Sequence, residues 1–422
     1  MVLLAINTTI ITAGIVVFLI VTLILVGILL FAKAKLTAKG DVKISINNGD
    51  QVITTEPGSS LLSTLGGQKI FLPSACGGKG SCGMCKCQVD SGAGSILPTE
   101  TGFFSYKQQH ENWRLACQVK VKENIEMRIP ESVLGIKKWE CTVVSNRNIS
   151  TFLKEFVVKL PEGENLKFKS GGYIQIDVPA LDVDFKDMNI DEKYKGDWEK
   201  MKMFDLKMHN PEPTYRAYSM ANSPAEGNII MLNIRIATPP FDRAAGGFMP
   251  VNPGICSSFI FSRKPGDKVT ISGPYGEFFL RETNNEMMFI GGGAGMAPMR
   301  SHIFNLFHTM HTNRKVTFWY GARALQEAPY VDEFNKIQEE NPNFHWTLAL
   351  DKPDPVADAA GVAYKPGFVH QVIFENYLKN HENPEDIEYY LCGPPMMIQA
   401  VTKMLYDLGV PDENVMYDNF GG

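Results

Sequence analysis

The chain has 422 residues, 44% hydrophobic and 21% charged, room for two or three packed domains at roughly 100–200 residues each, which excludes disorder and a single small module. A formal net charge of −5 provides no chain-wide positive field and argues against nucleic acid as a partner. Of the eight cysteines, four crowd between Cys76 and Cys87, which points to a metal or cluster site rather than to the disulfide framework of a short secreted chain.

From Met1 to Ala32 no side chain is charged, and Ile10 to Phe31 is almost wholly Ile, Leu, Val and Phe. About 20 apolar residues cross the ~30 Å of hydrocarbon in a bilayer. No Lys or Arg precedes Lys33, so the basic start of a cleaved signal peptide is missing. Residues 1–35 are therefore expected to be a retained transmembrane anchor. Lys33, Lys35 and Lys39 follow it, and the positive-inside bias then leaves the downstream body in the cytoplasm. Alternation over Asp41 to Ile53 predicts a hairpin turning at Asn47-Asn48-Gly49-Asp50.

Next comes Cys76-x₅-Cys82-x₂-Cys85, with Cys117 further on. A two-iron cluster needs four thiolates and a loop that wraps closely round an inorganic core, and Gly77, Gly78, Gly80 and Gly83 allow that wrapping. Zinc is the competitor, but its sites favour paired Cys-x₂₋₄-Cys knuckles, and Cys82 with Cys85 is one pair alone. Cys87 and Cys141 read as structural. At these residues the chain resembles a ferredoxin of the 2Fe-2S class. Its first gap of five departs from the plant-type spacing and is similar to the adrenodoxin-like variant. The expectation is an α+β ferredoxin-like domain over 36–130, with Cys76, Cys82, Cys85 and Cys117 on the metal.

After Pro130-Glu131, Trp139 to Leu160 predicts two strands turning at Ser145-Asn146-Arg147-Asn148, and strand-like segments with Gly and Pro turns continue to about Arg281 as an antiparallel barrel. Ala180 to Thr214 lacks periodicity and is expected to be an insertion in that barrel, read as surface decoration with a partner-docking surface as the alternative. Arg216-Ala217-Tyr218-Ser219 sets an Arg beside an aromatic and a hydroxyl, groups that suit a diphosphate, a flat ring and a ring nitrogen. With Gly254-Ile255-Cys256-Ser257-Ser258 and Gly273-Pro274-Tyr275-Gly276, it resembles the flavin domain of the ferredoxin-NADP reductase superfamily. That resemblance implies an FAD-binding barrel over 131–284, with insertion 180–214. It places Arg216 on the FAD diphosphate, Tyr218 on the isoalloxazine and Ser219 near N5, and sets Gly254, Cys256, Ser257 and Ser258 at a helix start facing the phosphates.

Beyond Asn285 strands and helices alternate: Met287–Ile290, Val316–Tyr320, Trp346–Leu350 and Tyr389–Leu391 as strands, Met299–Met310 and Met396–Leu408 as helices, the signature of an α/β parallel sheet. Gly291-Gly292-Gly293-Ala294-Gly295, running to Pro298, lies between a strand and a helix, where backbone approaches a pyrophosphate at a helix N-terminus. It is not a Rossmann Gly-x-Gly-x-x-Gly. With Cys392-Gly393-Pro394 it resembles the superfamily's nicotinamide site over 285–422, which implies Cys392 beside the nicotinamide C4 as an orienting residue. By position Phe420 corresponds to the terminal aromatic that shields the flavin, although Gly421 and Gly422 follow it.

Taken whole, the chain resembles the NADH-oxidising members of the bacterial sodium-translocating NADH:quinone oxidoreductase family, their F subunits. Among the residues that carry this are Phe31-Ala32-Lys33-Ala34-Lys35-Leu36, Ile136-Lys137-Lys138-Trp139-Glu140-Cys141 and Ala294 to His302. The resemblance implies NADH as donor, FAD and a 2Fe-2S cluster as cofactors, a six-subunit complex in the inner membrane, quinone as final acceptor and sodium export. One apolar helix without an ionisable residue cannot conduct sodium, so export belongs to partners. Two alternatives stand beside this: the reductase component of an oxygenase, and a membrane-tethered redox carrier or sensor. Arg323, after a strand, either meets a 2′-phosphate and so selects NADPH, or is a surface charge.

Overall fold

The computed structural model describes residues 8–36, 40–242, 244 and 246–418. The first element, α1 (Thr8–Leu36), has 29 residues, and its Thr12–Leu29 stretch is long and apolar enough to cross a membrane. The Thr22 hydroxyl donates to the Phe18 carbonyl at 2.8 Å, so the polar atom is satisfied inside the helix, as lipid requires.

By contacts the chain divides into two units, one of residues 1–72 and 83–134, the other of 73–82 and 135–422. In the first, β1 (Val42–Ile46) and β2 (Gln51–Thr55) form the hairpin that the alternation predicts, turning at Asn47 to Asp50. Helix α2 (Leu61–Gly67), β3 (Lys86–Ser91), the short helices α3 (Pro98–Thr101) and α4 (Tyr106–His110), β4 (Trp113–Leu115), β5 (Ile125–Arg128) and α5 (Glu131–Leu134) complete an α+β unit with strand order β2-β1-β5-β3-β4. Ile44, Ile46, Leu61, Leu65 and Leu115 make its dry interior. Within it Glu100 is fully buried against Arg114, at 2.7 Å, and also accepts from the Leu115 and Leu97 amides. A charge taken out of water in this way needs every lone pair answered, and here it is.

The second unit contains β6 (Lys137–Ser150), β7 (Leu153–Lys159), β8 (Tyr173–Val178), β9 (Leu181–Asp184), α6 (Glu192–Lys200), β10 (Lys207–Asn210), β11 (Thr214–Ser219), β12 (Ile229–Arg235), the two-residue strands β13 (Phe241–Asp242) and β14 (Gly247–Phe248), α7 (Ile255–Ser262) and β15 (Lys268–Tyr275). Six of these strands form an antiparallel sheet in the order β11-β8-β15-β6-β7-β12, and a bridge from Met220 to Leu232 joins its ends into a barrel. Two sequence expectations are corrected here. Strand β6 does not turn at 145–148 but runs through to Ser150, with bulges after Val143 and Asn148. Asn146 is buried and donates to the carbonyls of Ile260 and Arg263, and Asn148 donates to Ser150 O, so these turn-forming side chains serve α7 and the bulged strand instead. Nor is 180–214 surface decoration, because Phe185, Trp198, Met203 and Met208 are at most 1% exposed and join the barrel core. The Trp198 indole donates to Thr151 O at 2.7 Å, which fixes α6 on the β6–β7 turn.

The same unit continues with β16 (Met287–Gly292), α8 (Met296–Phe304), β17 (Val316–Ala322), α9 (Val331–Glu340), β18 (Phe344–Leu350), α10 (Pro355–Ala360), β19 (Lys365–Pro366), α11 (Val369–Asn376), β20 (Glu388–Cys392), α12 (Pro395–Asp407) and β21 (Val415–Asp418). The sheet order is β19-β18-β17-β16-β20-β21, and every pairing is parallel. Aromatic cores cover both faces, around Phe318, Phe334 and Trp346 on one and Trp319 and Tyr389 on the other. The helix predicted over 299–310 begins earlier, at Met296, and changes to π spacing over Asn305–Thr309. There the Asn305 amide reaches Ser170 Oγ, which also lies 3.2 Å from His302 Nδ1. His302 is fully buried, and burial pushes its imidazole down to about 3.

Candidate functional site

Four thiols fall into two pairs. Cys82 Sγ lies 3.3 Å from Cys76 Sγ in the second contact unit. Cys76 is held down to about 3 by that bond and by the amides of Cys82, Ser81 and Lys79, a setting that favours a thiolate ligand. In the first unit Cys85 bonds with Cys117, which together with burial raises the Cys85 thiol. Cys87 is buried with its thiol toward Arg114 O at 3.8 Å, and Cys141 is buried in β6. Among the described residues no three His, Cys, Asp or Glu side chains gather as a single ion would need.

Strand β11 carries Arg216, Tyr218 and Ser219, and pairs with β8 along its whole length. Arg216 Nη1 donates to Tyr215 O at 2.7 Å and to Thr214 Oγ1 at 3.2 Å, and among the described residues it has no carboxylate partner. Cys256, the second residue of α7, lies within electrostatic reach of both Arg216 and Lys79, whose charges oppose the burial that pushes its thiol up to about 11. Burial likewise raises the Tyr218 hydroxyl, with Cys256 and Arg216 as its electrostatic neighbours. Gly254 lies where a Cβ would come 2.5 Å from Ala237 Cβ. Ser257 Oγ accepts from the Ala237 amide and donates to Gly254 O, so it fixes the helix start rather than facing outward. Ser258 Oγ is buried with no hydrogen-bond partner among the described residues, an orphan that an anion at the helix start would answer.

The glycine run and Cys392-Gly393-Pro394, about a hundred residues apart in sequence, meet through parallel pairing, with Gly291 opposite Cys392. A Cβ on Gly295 would stand 2.0 Å from Cys392 O, and one on Gly292 would stand 2.9 Å from Met397 Sδ and 3.3 Å from Pro394 Cδ. Gly293 sits at φ +56° with its carbonyl accepting from Tyr320 Oη at 3.0 Å, and the turn runs directly into α8, where Pro298 is buried. Cys392 is fully buried, and burial raises its thiol well above the usual range, consistent with a packing rather than a nucleophilic residue. Gly393 packs against Met397. Phe420 lies outside the described residues.

One residue escaped the sequence reading. Asp418, opposite Cys392 in the β20–β21 register, accepts from Ser219 Oγ at 2.6 Å, tying β11 to the edge of the parallel sheet. Burial raises its carboxyl. The available signal was its place as the single carboxylate after Glu413, two residues before Phe420.

A thiol-bearing loop, a barrel strand whose Arg has no carboxylate partner among the described residues and a glycine cradle on a parallel sheet suit an iron–sulfur flavoprotein reductase of the nicotinamide class. Family models agree: a 2Fe-2S iron-sulfur cluster binding domain matches 44–122, an oxidoreductase FAD-binding domain 200–280 and an oxidoreductase NAD-binding domain 289–403. Among solved structures, a cytochrome P450 reductase of Amycolatopsis is similar with TM-score 0.60 and 22% identity, covering 90% of this chain and 98% of that one. A ferredoxin reductase in carbazole 1,9a-dioxygenase is similar with TM-score 0.57 and 24% identity over the same shares. These establish a shared fold. A relative from Idiomarina loihiensis, the F subunit of its Na(+)-translocating NADH-quinone reductase, is 53% identical over 410 residues, 97% of this chain and 98% of its own. Its counterpart in Pseudomonas aeruginosa PAO1 is 52% identical over 398 residues, 94% and 95% of the two chains. The chain belongs to the family of Na(+)-translocating NADH-quinone reductase F subunits.

Proposed function

We propose that this chain is the electron-input component of a sodium-translocating NADH:quinone oxidoreductase. It oxidises NADH, and the electrons pass through FAD to a 2Fe-2S cluster and on to partner subunits that reduce quinone and export sodium. The observation that carries the reading is the Ser219–Asp418 bond, which ties the flavin strand to the β20–β21 edge, where Asp418 pairs with Cys392. FAD, when bound, takes up two electrons together and releases them singly, which is the step needed between a nicotinamide and a cluster.

The chain's own residues bind and orient. Arg216 meets the diphosphate, Tyr218 covers the ring, and Ser219, its hydroxyl aimed by Asp418, stands near N5. The α7 start at Gly254, with Cys256 and Ser258, takes the phosphates. The glycines 291–293 and 295, with Gly393 and Pro394, admit the nicotinamide dinucleotide, Cys392 packs beside its reactive carbon and Phe420 shields the flavin. Cys76, Cys82, Cys85 and Cys117 would hold the 2Fe-2S cluster, which would accept electrons one at a time. Residues 1–35 anchor the chain once in the inner membrane, with 36–130, 131–284 and 285–422 as cytoplasmic cluster, FAD and NADH domains within a complex of six subunits. NADH is the donor, as in the name of the relatives, and Glu327 lies, with Arg323, within electrostatic reach of Arg235. The oxygenase-reductase alternative shares the fold but leaves the anchor without a role.

The test is rapid mixing of full-length, cofactor-loaded protein with NADH and separately NADPH, following flavin bleaching by absorbance and the reduced cluster by electron paramagnetic resonance. Fast bleaching by NADH followed by the cluster signal is expected. No bleaching by either donor with FAD bound would move the reading to a carrier or sensor.

A further inference from the structure

The stretch Pro73–Cys82 carries Cys76 and Cys82, yet its contacts place it in the same unit as the barrel. Its seat is β11. A Cβ on Gly77 would stand 2.6 Å from Arg216 Nη1, 3.1 Å from Tyr215 O and 3.3 Å from Thr214 Oγ1. Those three atoms are one bonded group, because Arg216 Nη1 itself donates to Tyr215 O and Thr214 Oγ1. A side chain at Gly77 would therefore have to displace the guanidinium from this position. Two further neighbours agree: Lys79 bears electrostatically on Cys256 at the α7 start, and Cys82 on Tyr173, which lies opposite Ser219 in the β8–β11 register.

We infer that Arg216 is a shared post. The side chain that holds the flavin diphosphate is also the seat of the Pro73–Cys82 loop, so FAD binding and loop docking are coupled. This coupling rests on the diphosphate role of Arg216 proposed above. Flavin phosphate draws the guanidinium into a fixed position, and that position completes the surface against which Gly77 lies. Conversely, a seated loop holds Arg216 ready for the phosphate, and the two effects are thermodynamically reciprocal. The chain would then seat its cysteine loop when its flavin is present.

A second glycine, one residue past this loop, supplies the control. Gly83 has nearly the same backbone, φ +68° against +67° at Gly77, but a Cβ there would meet the Phe103 ring at 2.3 Å and nothing of β11. Alanine at either position therefore carries similar backbone strain, and only the neighbours differ. Flavin-stripped full-length protein is titrated with FAD by fluorescence, and amide hydrogen exchange of the 73–82 peptide is followed with and without FAD. Gly77→Ala is expected to weaken FAD binding about tenfold, the equivalent of about 1.4 kcal/mol, although it lies in the cysteine loop. Gly83→Ala is expected to bind FAD as the parent does. FAD should slow exchange of the loop in the parent and in Gly83→Ala but not in Gly77→Ala. Parent FAD affinity in Gly77→Ala, or equal weakening in both variants, overturns the shared post. Arg216→Ala binding FAD at parent affinity would instead overturn the diphosphate assignment beneath it.

Discussion

The cysteine loop and the nicotinamide cleft handle their ligands by opposite means. At the loop the chemistry resides in side chains, because Cys76 and Cys82 bring their sulfurs within 3.3 Å and surrounding amides favour the thiolate. At the cleft it resides in side chains that are missing, for Gly295 lies so close to Cys392 O that a methyl group would stand 2.0 Å from it. The lesson is that loss of an atom should be fatal at the first site and gain of one fatal at the second, each leaving the other site working.

The largest effect should come from Cys82→Ala. Removing one of two paired thiols should eliminate the cluster's paramagnetic signal while flavin reduction by NADH continues, since no residue of the cleft is touched. A variant that keeps its cluster spectrum would refute the ligand assignment. The converse is Gly295→Ala. Backbone atoms of β20 cannot move aside as a flexible side chain can, so overpacking should destabilise the unit by about 3 kcal/mol, readable in urea melts, and abolish NADH oxidation with the cluster spectrum intact. Unchanged NADH binding would mean the dinucleotide does not use this turn.

The Ser219–Asp418 bond joins the barrel to the parallel sheet. Ser219→Ala should slow flavin reduction by about a hundredfold with FAD still bound. Asp418→Asn, which keeps a hydrogen-bond acceptor for the hydroxyl but not its charge, should slow it by about tenfold. Stopped-flow bleaching at saturating NADH separates them, and equal rates in both variants and the parent would remove the hydroxyl from the chemistry.

What the sequence revealed follows the same division. Cys76, Cys82, Cys85 and Cys117 are legible as candidate ligands because their sulfurs are in side chains, and the fold brings them together as two pairs. The glycine run and Cys392-Gly393-Pro394 were legible as motifs, but their meeting depends on parallel pairing of Gly291 with Cys392, which no local pattern encodes. Asp418 was invisible because its meaning lies in a bond to a strand some two hundred residues earlier. The misplaced turn at 145–148 has a local cause: Asn and Ser favour turns through their side-chain hydrogen bonds, but here Asn146 is held by Ile260 O and Arg263 O across the barrel. Likewise the 180–214 insertion hid its core role, since Phe185, Trp198 and Met208 are too irregularly spaced to form a periodic stripe.

The smallest expected effect tests whether the cleft's scaffold is as dry as its packing implies. His302, beneath the glycine turn on α8, contacts Phe278, Phe289 and Tyr390 and is bonded to Ser170. Its imidazole is pushed from 6.5 down to about 3, so between these values the unfolded chain binds a proton that the folded one refuses. Stability therefore rises with pH across that window and is lost as pH falls below about 6.5, at a limit of about 1.4 kcal/mol per pH unit. Urea melts of the parent and of His302→Gln from neutral to mildly acidic pH read the difference in slope, independent of any constant cost of the substitution. A shallower acid slope in the variant is expected.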